Sequence, residues 1–242
     1  VPYFREFYDK ITWRYIGPYL PIKGTVLDAG GGTGRWTIPI AERGLRVVLY
    51  DISSQMLEVA RKKIKEEGLG HLVTFEEGDI CDLNHDDDSF DFVLAEGDPI
   101  SYCSDPDRAV GELARVLKPD HFAAAGVDGL FSAVRGTLIN KGLDEALKVL
   151  RERRFFAEQW GFNCWAFSPD DLRKLFEGNG LEVVKVLGKT VIALSMEDRE
   201  SFLQDEGKTK GLLDLELMLC EEPSIAGYGG HLHAVGRKRV PR

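Results

Sequence analysis

The residues of this chain best suited to hold a ligand form one short run, Val26-Leu27-Asp28-Ala29-Gly30-Gly31-Gly32-Thr33-Gly34, between an apolar stretch and a helical pattern. In an α/β protein such a run falls at the carboxyl edge of the sheet, where ligands bind, and glycines let the backbone approach them closely. The spacing excludes two common ligands. A dinucleotide loop follows G-x-G-x-x-G, yet the third slot after Gly30 and Gly32 is Arg35. A nucleoside-triphosphate loop needs Lys-Ser or Lys-Thr after its glycines, and Gly34 is followed by Arg35 and Trp36. The pattern is G-x-G-x-G, with Asp28 two residues upstream. A carboxylate there repels phosphate and attracts positive charge, so the expected ligand is cationic or zwitterionic.

The elements that must position this loop are legible from periodicity. Apolar runs predict strands at Thr25–Ala29, Arg46–Tyr50, Leu72–Glu76, Phe90–Ala95 and Phe122–Val127. Between them, helical spacing covers Arg35–Arg43, Ser53–Glu67 and Asp107–Leu117, with Val110, Leu113, Ala114 and Leu117 on one face. Alternation of this kind predicts a doubly wound, mostly parallel sheet with helices on both faces, since right-handed crossovers return each helix to the sheet. Pro39 falls inside the first helix and is expected to delete a backbone hydrogen bond.

The second half begins with a helix-like stretch, Leu143–Trp160, which runs into the aromatic residues Phe155, Phe156, Trp160, Phe162, Trp165 and Phe167. Ser168-Pro169-Asp170-Asp171 reads as a helix start: a capping serine, a proline tolerated at the first position and two acids favoured by the dipole. Two further strands, Leu181–Leu187 and His231–Arg237, flank a mixed segment. One domain over 1–242 is the simpler reading, with a helical cap at 1–20 and a helical, aromatic-rich insertion at 128–167 acting as a substrate lid.

Composition removes several functions. Lys and Arg total 31 against 40 for Asp and Glu, a net charge of −9 that disfavours attraction to a phosphate backbone. No nucleic-acid partner is expected, and the basic cluster Arg237, Lys238, Arg239 and Arg242 reads as a solvated end. Cys81, Cys103, Cys164 and Cys220 form no C-x-x-C pair, and the run Asn84-His85-Asp86-Asp87-Asp88 lacks calcium-loop spacing, so no metal is expected. The opening residues VPYFREFYDK carry charge where a signal peptide is apolar, and no run of eighteen apolar residues occurs. The expectation is a cytoplasmic protein with no membrane partner, monomeric or homodimeric.

Val26–Trp36 resembles the S-adenosylmethionine-binding loop of class I methyltransferases. Further landmarks appear in the family's order: Tyr50-Asp51-Ile52-Ser53 after the second strand, Gly78-Asp79-Ile80 after the third, Glu96-Gly97 after the fourth, and Leu113–Pro119 before the fifth. Asp120-His121 stands where the family has a glycine pair. The resemblance implies a seven-stranded sheet of order 3-2-1-4-5-7-6 with the last strand antiparallel. It implies S-adenosylmethionine as cofactor and S-adenosylhomocysteine as product. Asp28, Gly30, Gly31, Gly32 and Gly34 then form the cofactor loop, with Asp28 near the methionyl amine. Asp51 takes both ribose hydroxyls, Ile52 and Met56 follow beside it, and Asp79 and Ile80 bind adenine. Glu96 meets the methionyl moiety or the acceptor, and Tyr8 the cofactor carboxylate.

Methyl transfer from a sulfonium is an in-line displacement in which the protein mainly holds the nucleophile collinear and excludes water. An acceptor that must lose a proton needs a base, and the candidates are Glu96 and His231, since the family's antiparallel last strand starts beside the carboxyl edge. Aromatic residues of the N-terminal segment (Tyr3, Phe4, Phe7, Tyr8, Trp13 and Tyr15) and of the insertion suit a flat or apolar acceptor. The expected activity is methyl transfer to a small molecule through an O, N or C nucleophile. The alternatives are a non-catalytic cofactor-binding protein and an aminopropyl transferase on the same scaffold.

Overall fold

The computed structural model describes residues 2–192 and 204–240, with side chains from Phe7 onward, so the side chains of Tyr3 and Phe4, and the whole of Arg242, lie outside what is described. The strands of the main sheet are β1 (Thr25–Ala29), β2 (Arg46–Asp51), β3 (Val73–Glu77), β4 (Phe90–Ala95), β5 (Leu117–Asp128), β8 (Leu181–Lys189) and β9 (His231–Lys238). Between β5 and β8, β6 (Arg154–Ala157) and β7 (Phe162–Trp165) form a separate antiparallel pair. The order β3-β2-β1-β4-β5-β9-β8 reproduces the expected topology, β8 and β9 being the sixth and seventh strands of the sheet. β1, β2, β3, β4 and β5 run parallel. β9 is antiparallel to β5: Gly129 N–H donates to Gly230 O at the carboxyl end of β5, and Lys238 Nζ to Leu117 O at its start.

The chain divides into two compact units. The first contains Tyr19–Val127, Arg173–Val184 and Val235–Arg242. Its core is the buried middle of the sheet, where Val26, Leu27, Leu49, Phe92, Val93 and Leu94 are shielded by helices, which is why these strands read as near-continuous apolar runs. Helices α2 (Thr37–Ala41), α3 (Ser54–Glu66), α4 (Pro99–Tyr102) and α5 (Pro106–Val116) make the crossovers. α2 is shorter than the expected Arg35–Arg43, yet Ile38 N–H donates to Gly34 O at 3.1 Å and Ile40 N–H to Trp36 O at 3.2 Å, so Pro39, which has no N–H, interrupts the series between them.

The second unit contains Val1–Pro18, Asp128–Leu172 and Lys185–Ala234. Its helices are α1 (Pro2–Ile16), α6 (Leu130–Lys141), α7 (Leu143–Glu152), α9 (Glu206–Leu219) and α10 (Pro223–Ala226), and α8 (Pro169–Gly178) begins in it. Ser168 and Asp171 cap α8 reciprocally: Asp171 N–H donates to Ser168 Oγ at 3.1 Å and Ser168 N–H to Asp171 Oδ2 at 3.0 Å. The helix expected over Leu143–Trp160 stops at Glu152, because Arg153 adopts a left-handed conformation (φ 58°) and the aromatic residues beyond it pair as β6 and β7. The insertion is thus helical only in its first part. Among the described residues no helix is long and apolar enough to cross a membrane.

Glu216 of α9 pins the exit from β8. It is wholly buried and accepts from Val191 N–H at 2.9 Å and Ile192 N–H at 2.8 Å, while burial raises its carboxyl above the usual range. Glu216→Ala strands both donors and is expected to destabilise the protein by about 2–4 kcal/mol. Denaturant titration checks this, and an unchanged midpoint contradicts the pinning role.

Candidate active site

β1 ends with Asp28 in the protein interior, at 0% exposure. Its Oδ2 accepts from Thr37 Oγ1 at 2.6 Å, whereas Oδ1 has no hydrogen-bond partner. Burial, opposed by the Thr37 hydrogen bonds and reinforced by the charges of Asp51 and Glu96, pushes the carboxyl up to about 7. The glycine loop lies over this group: a Cβ on Gly31 would stand 2.8 Å from Asp28 Cγ. Gly30, Gly32 and Gly34 all have positive φ, which a side chain would strain. Gly30 N–H donates to Tyr50 O at 2.7 Å, fastening the loop to the end of β2.

Asp51, at the end of β2, is 9% exposed and preset by two backbone donors, Gly32 N–H to Oδ2 and Ser53 N–H to Oδ1, both at 2.8 Å. Each oxygen keeps a lone pair for a further donor. Ser53 caps α3 by accepting from Met56 N–H at 3.3 Å, so the cap function falls to Ser53 rather than Asp51. Asp79 shapes the next loop by accepting from Cys81 N–H at 2.9 Å. Ile80 is buried, whereas Ile52 and Met56 are exposed at 69% and 44%, apolar groups standing in water beside Asp51. Glu96 is buried at the end of β4, and Asp98 follows in a left-handed conformation that turns the chain into α4. The first unit therefore gathers Asp28, Asp51 and Glu96 within electrostatic reach of one another. Three carboxylates at adjoining strand ends form a strongly negative position, which a sulfonium or ammonium ligand relieves. The orphaned Asp28 oxygen and the lined-up loop fit such a cofactor.

In the second unit, His231 opens β9 with Nδ1 3.8 Å from Asp128 Oδ1, and its ring packs edge-on against Tyr8 of α1 with centroids 5.2 Å apart. Tyr8 also carries the ammonium of Lys189 on its other contacts, 3.7 Å from the ring centroid. Two of these residues escaped the sequence reading. Asp128 ends β5 and carries no motif of its own. Lys189 shares the period-two face of buried Leu187, and that alternation was the available signal for a buried lysine.

Fold and loop together define a class of protein, and comparison with known proteins agrees. The methyltransferase domain family matches residues 26–120. The tRNA 5-carboxymethoxyuridine methyltransferase of Escherichia coli K12 is 24% identical over 237 residues, 95% of this chain and 87% of that protein. Methyltransferase GfsG of Streptomyces halstedii is 38% identical over 115 residues, 47% of this chain and 39% of its own length. The crystal structure of an S-adenosylmethionine-dependent methyltransferase from Methanosarcina mazei has a TM-score of 0.63 at 20% identity, covering 93% of this chain and 97% of that one. That last likeness is one of fold. What the comparisons establish is a methyltransferase domain match at residues 26–120 on a fold shared with S-adenosylmethionine-dependent methyltransferases.

Proposed function

We propose that this chain methylates a small-molecule acceptor, with the cofactor held by the residues the loop resemblance singled out. Bound S-adenosylmethionine supplies the transferable methyl. Asp51 is assigned to the ribose hydroxyls, Asp79 and the backbone at Ile80 to adenine, Ile52 and Met56 to the apolar cover, and Asp28 with Gly30, Gly31, Gly32 and Gly34 to the methionyl end. Glu96 and His231 are assigned to the acceptor, His231 taking a proton where the nucleophile carries one and Asp128 biasing the imidazole toward accepting it. Tyr8 is assigned to the cofactor carboxylate. The observation that carries the cofactor assignment is the group of carboxylates under and beside the glycine loop, which suits a positively charged ligand and no phosphate.

A small acceptor is favoured by the net charge of −9, which works against a polyanion. An RNA acceptor is the second reading, supported by the Escherichia coli relative that matches over most of both chains. Following S-adenosylhomocysteine release across phenols, amines, carboxylic acids and bulk tRNA separates the two. Turnover with tRNA alone overturns the small-molecule reading, and silence throughout favours a cofactor-binding protein without an acceptor site. Aminopropyl transfer is tested in parallel with the decarboxylated cofactor. Asp51→Ala is expected to weaken S-adenosylmethionine binding by about 1–3 kcal/mol through lost charge-assisted hydrogen bonds. Calorimetric titration measures it, and an unchanged Kd removes Asp51 from the ribose role.

A further inference from the structure

Lys189 is a lysine with 0% exposure at the end of β8, in the interior of the second unit. Its ammonium lies 3.7 Å from the Tyr8 ring centroid and donates to Thr12 Oγ1 at 3.3 Å. Tyr8 and Thr12 are four residues apart on α1 and so share one face of that helix. A single cation therefore grips two successive turns of α1. Farther along the helix, Tyr15 donates to Glu221 at 2.8 Å and touches Cys220 Sγ at 3.1 Å, fixing the same helix to the end of α9. Tyr8 in turn packs edge-on against His231, with the planes at 87°. The cation, the phenol ring and the imidazole thus form a continuous row of contacts.

A lysine is an expensive way to fill an interior position. Taking an ammonium out of water carries a large penalty, whereas a methionine of similar length fills the volume without it. What the ammonium adds is direction: it is drawn to the face of an aromatic ring and to a hydroxyl oxygen, and so selects one rotation of α1 and one tilt of Tyr8. We infer that Lys189 is a positioning residue, which holds the Tyr8 ring in the orientation used for binding the cofactor. The inference rests on the assignment of Tyr8 to the cofactor, and it adds that this contact depends on a residue remote in sequence.

The test is a double-mutant cycle on full-length protein, reading the Kd of S-adenosylmethionine by calorimetry and the melting temperature of each variant. Tyr8→Leu and Lys189→Met are each expected to weaken binding by roughly fivefold to twentyfold, and the double variant by no more than either alone, because coupled residues are not additive. Lys189→Met is expected to keep or raise the melting temperature, and Lys189→Arg to bind within about threefold of the parent because it restores a cation on the ring. Should Lys189→Met not fold, Thr12→Val removes the hydroxyl acceptor with charge intact and is expected to weaken binding by about twofold to fivefold. Parental affinity in Lys189→Met or Thr12→Val, or additive losses in the cycle, overturns the positioning role while leaving Tyr8 in place. Parental affinity in Tyr8→Leu removes the Tyr8 contact itself, and the positioning role with it.

Discussion

Asp28→Asn is expected to raise the melting temperature of the ligand-free protein at pH 8 while weakening its hold on S-adenosylmethionine. The reason is the cost of keeping a carboxylate in the interior. Asp28 is wholly buried, one of its oxygens has no partner, and its carboxyl is pushed from 3.8 up to about 7. A folded-state value above the unfolded one means that the protonated form favours folding. That contribution is complete below about pH 4 and is lost as pH rises through about 7. At pH 8 the ionised group costs at most about 4.5 kcal/mol, taking about 1.4 kcal/mol for each unit. Asparagine keeps an acceptor for Thr37 and never ionises, although its amide brings donors of its own. A net gain of about 1–3 kcal/mol is expected, or roughly 2–10 °C in melting temperature for a chain of this size.

The gain should shrink at pH 5 and vanish only below about pH 4, where the group is protonated in the folded and the unfolded chain alike. Equal gains at pH 5 and pH 8 show that ionisation is not the cause. Binding moves the other way. A sulfonium or ammonium near the loop favours ionised Asp28, so wild-type affinity should rise from pH 6 to pH 8, and the asparagine variant should lose about tenfold at pH 8 with a flatter profile. Calorimetry across that range checks both, and an asparagine variant that binds as tightly as its parent removes Asp28 from the cofactor site. The instability stored at this position is the kind that a binding site retains because the ligand relieves it.

Most of the parallel half of the sheet was legible because its physics is local. β1 and β4 are buried on both faces and read as near-continuous apolar runs, each interrupted by one aspartate, and the two-sided character of α5 is a plain helical period. The ligand loop was legible for a chemical reason, since an acid beside a G-x-G-x-G run selects charge as well as shape. What was missed depended on partners far along the chain. Leu143–Trp160 carries helical spacing through Glu152, and nothing in Arg153 itself announces the left-handed turn that frees Phe155 and Phe156 to pair with Cys164 and Asn163. Lys189 lies beyond the strand expected at Leu181–Leu187, and its burial is decided by Tyr8 and Thr12 on a helix more than 170 residues earlier. Asp51 shows the intermediate case: its position after β2 suggested the role, but only the structure shows that Ser53 does the capping and leaves Asp51 oriented by Gly32 and Ser53 amides.

Gly30→Ala should be the most damaging single-methyl change in the loop. Two costs combine there. Gly30 has φ +73°, a region that an L side chain enters at about 1–2 kcal/mol. The added Cβ would also stand 2.4 Å from Pro99 Cβ and 2.9 Å from Pro99 Cγ, and a proline ring has no rotamer with which to yield. Pro99 is the first residue of α4 and follows the left-handed Asp98, so displacing it means displacing the loop after β4 as well. Overpacking of this kind adds about 1–3 kcal/mol, for a total destabilisation of about 2–5 kcal/mol. Because the amide of Gly30 is fastened to Tyr50 O, part of the strain is absorbed by moving the loop off the end of β2, and cofactor affinity should fall by about tenfold or more. Gly44→Ala separates strain from site. Gly44 has a similar φ of +83° but nothing within 4 Å of its Cβ position, so the change should cost about 1–2 kcal/mol and leave the Kd unchanged. Equal losses of affinity in the two variants would mean that general destabilisation, and not the seat of Gly30 against Pro99, governs binding.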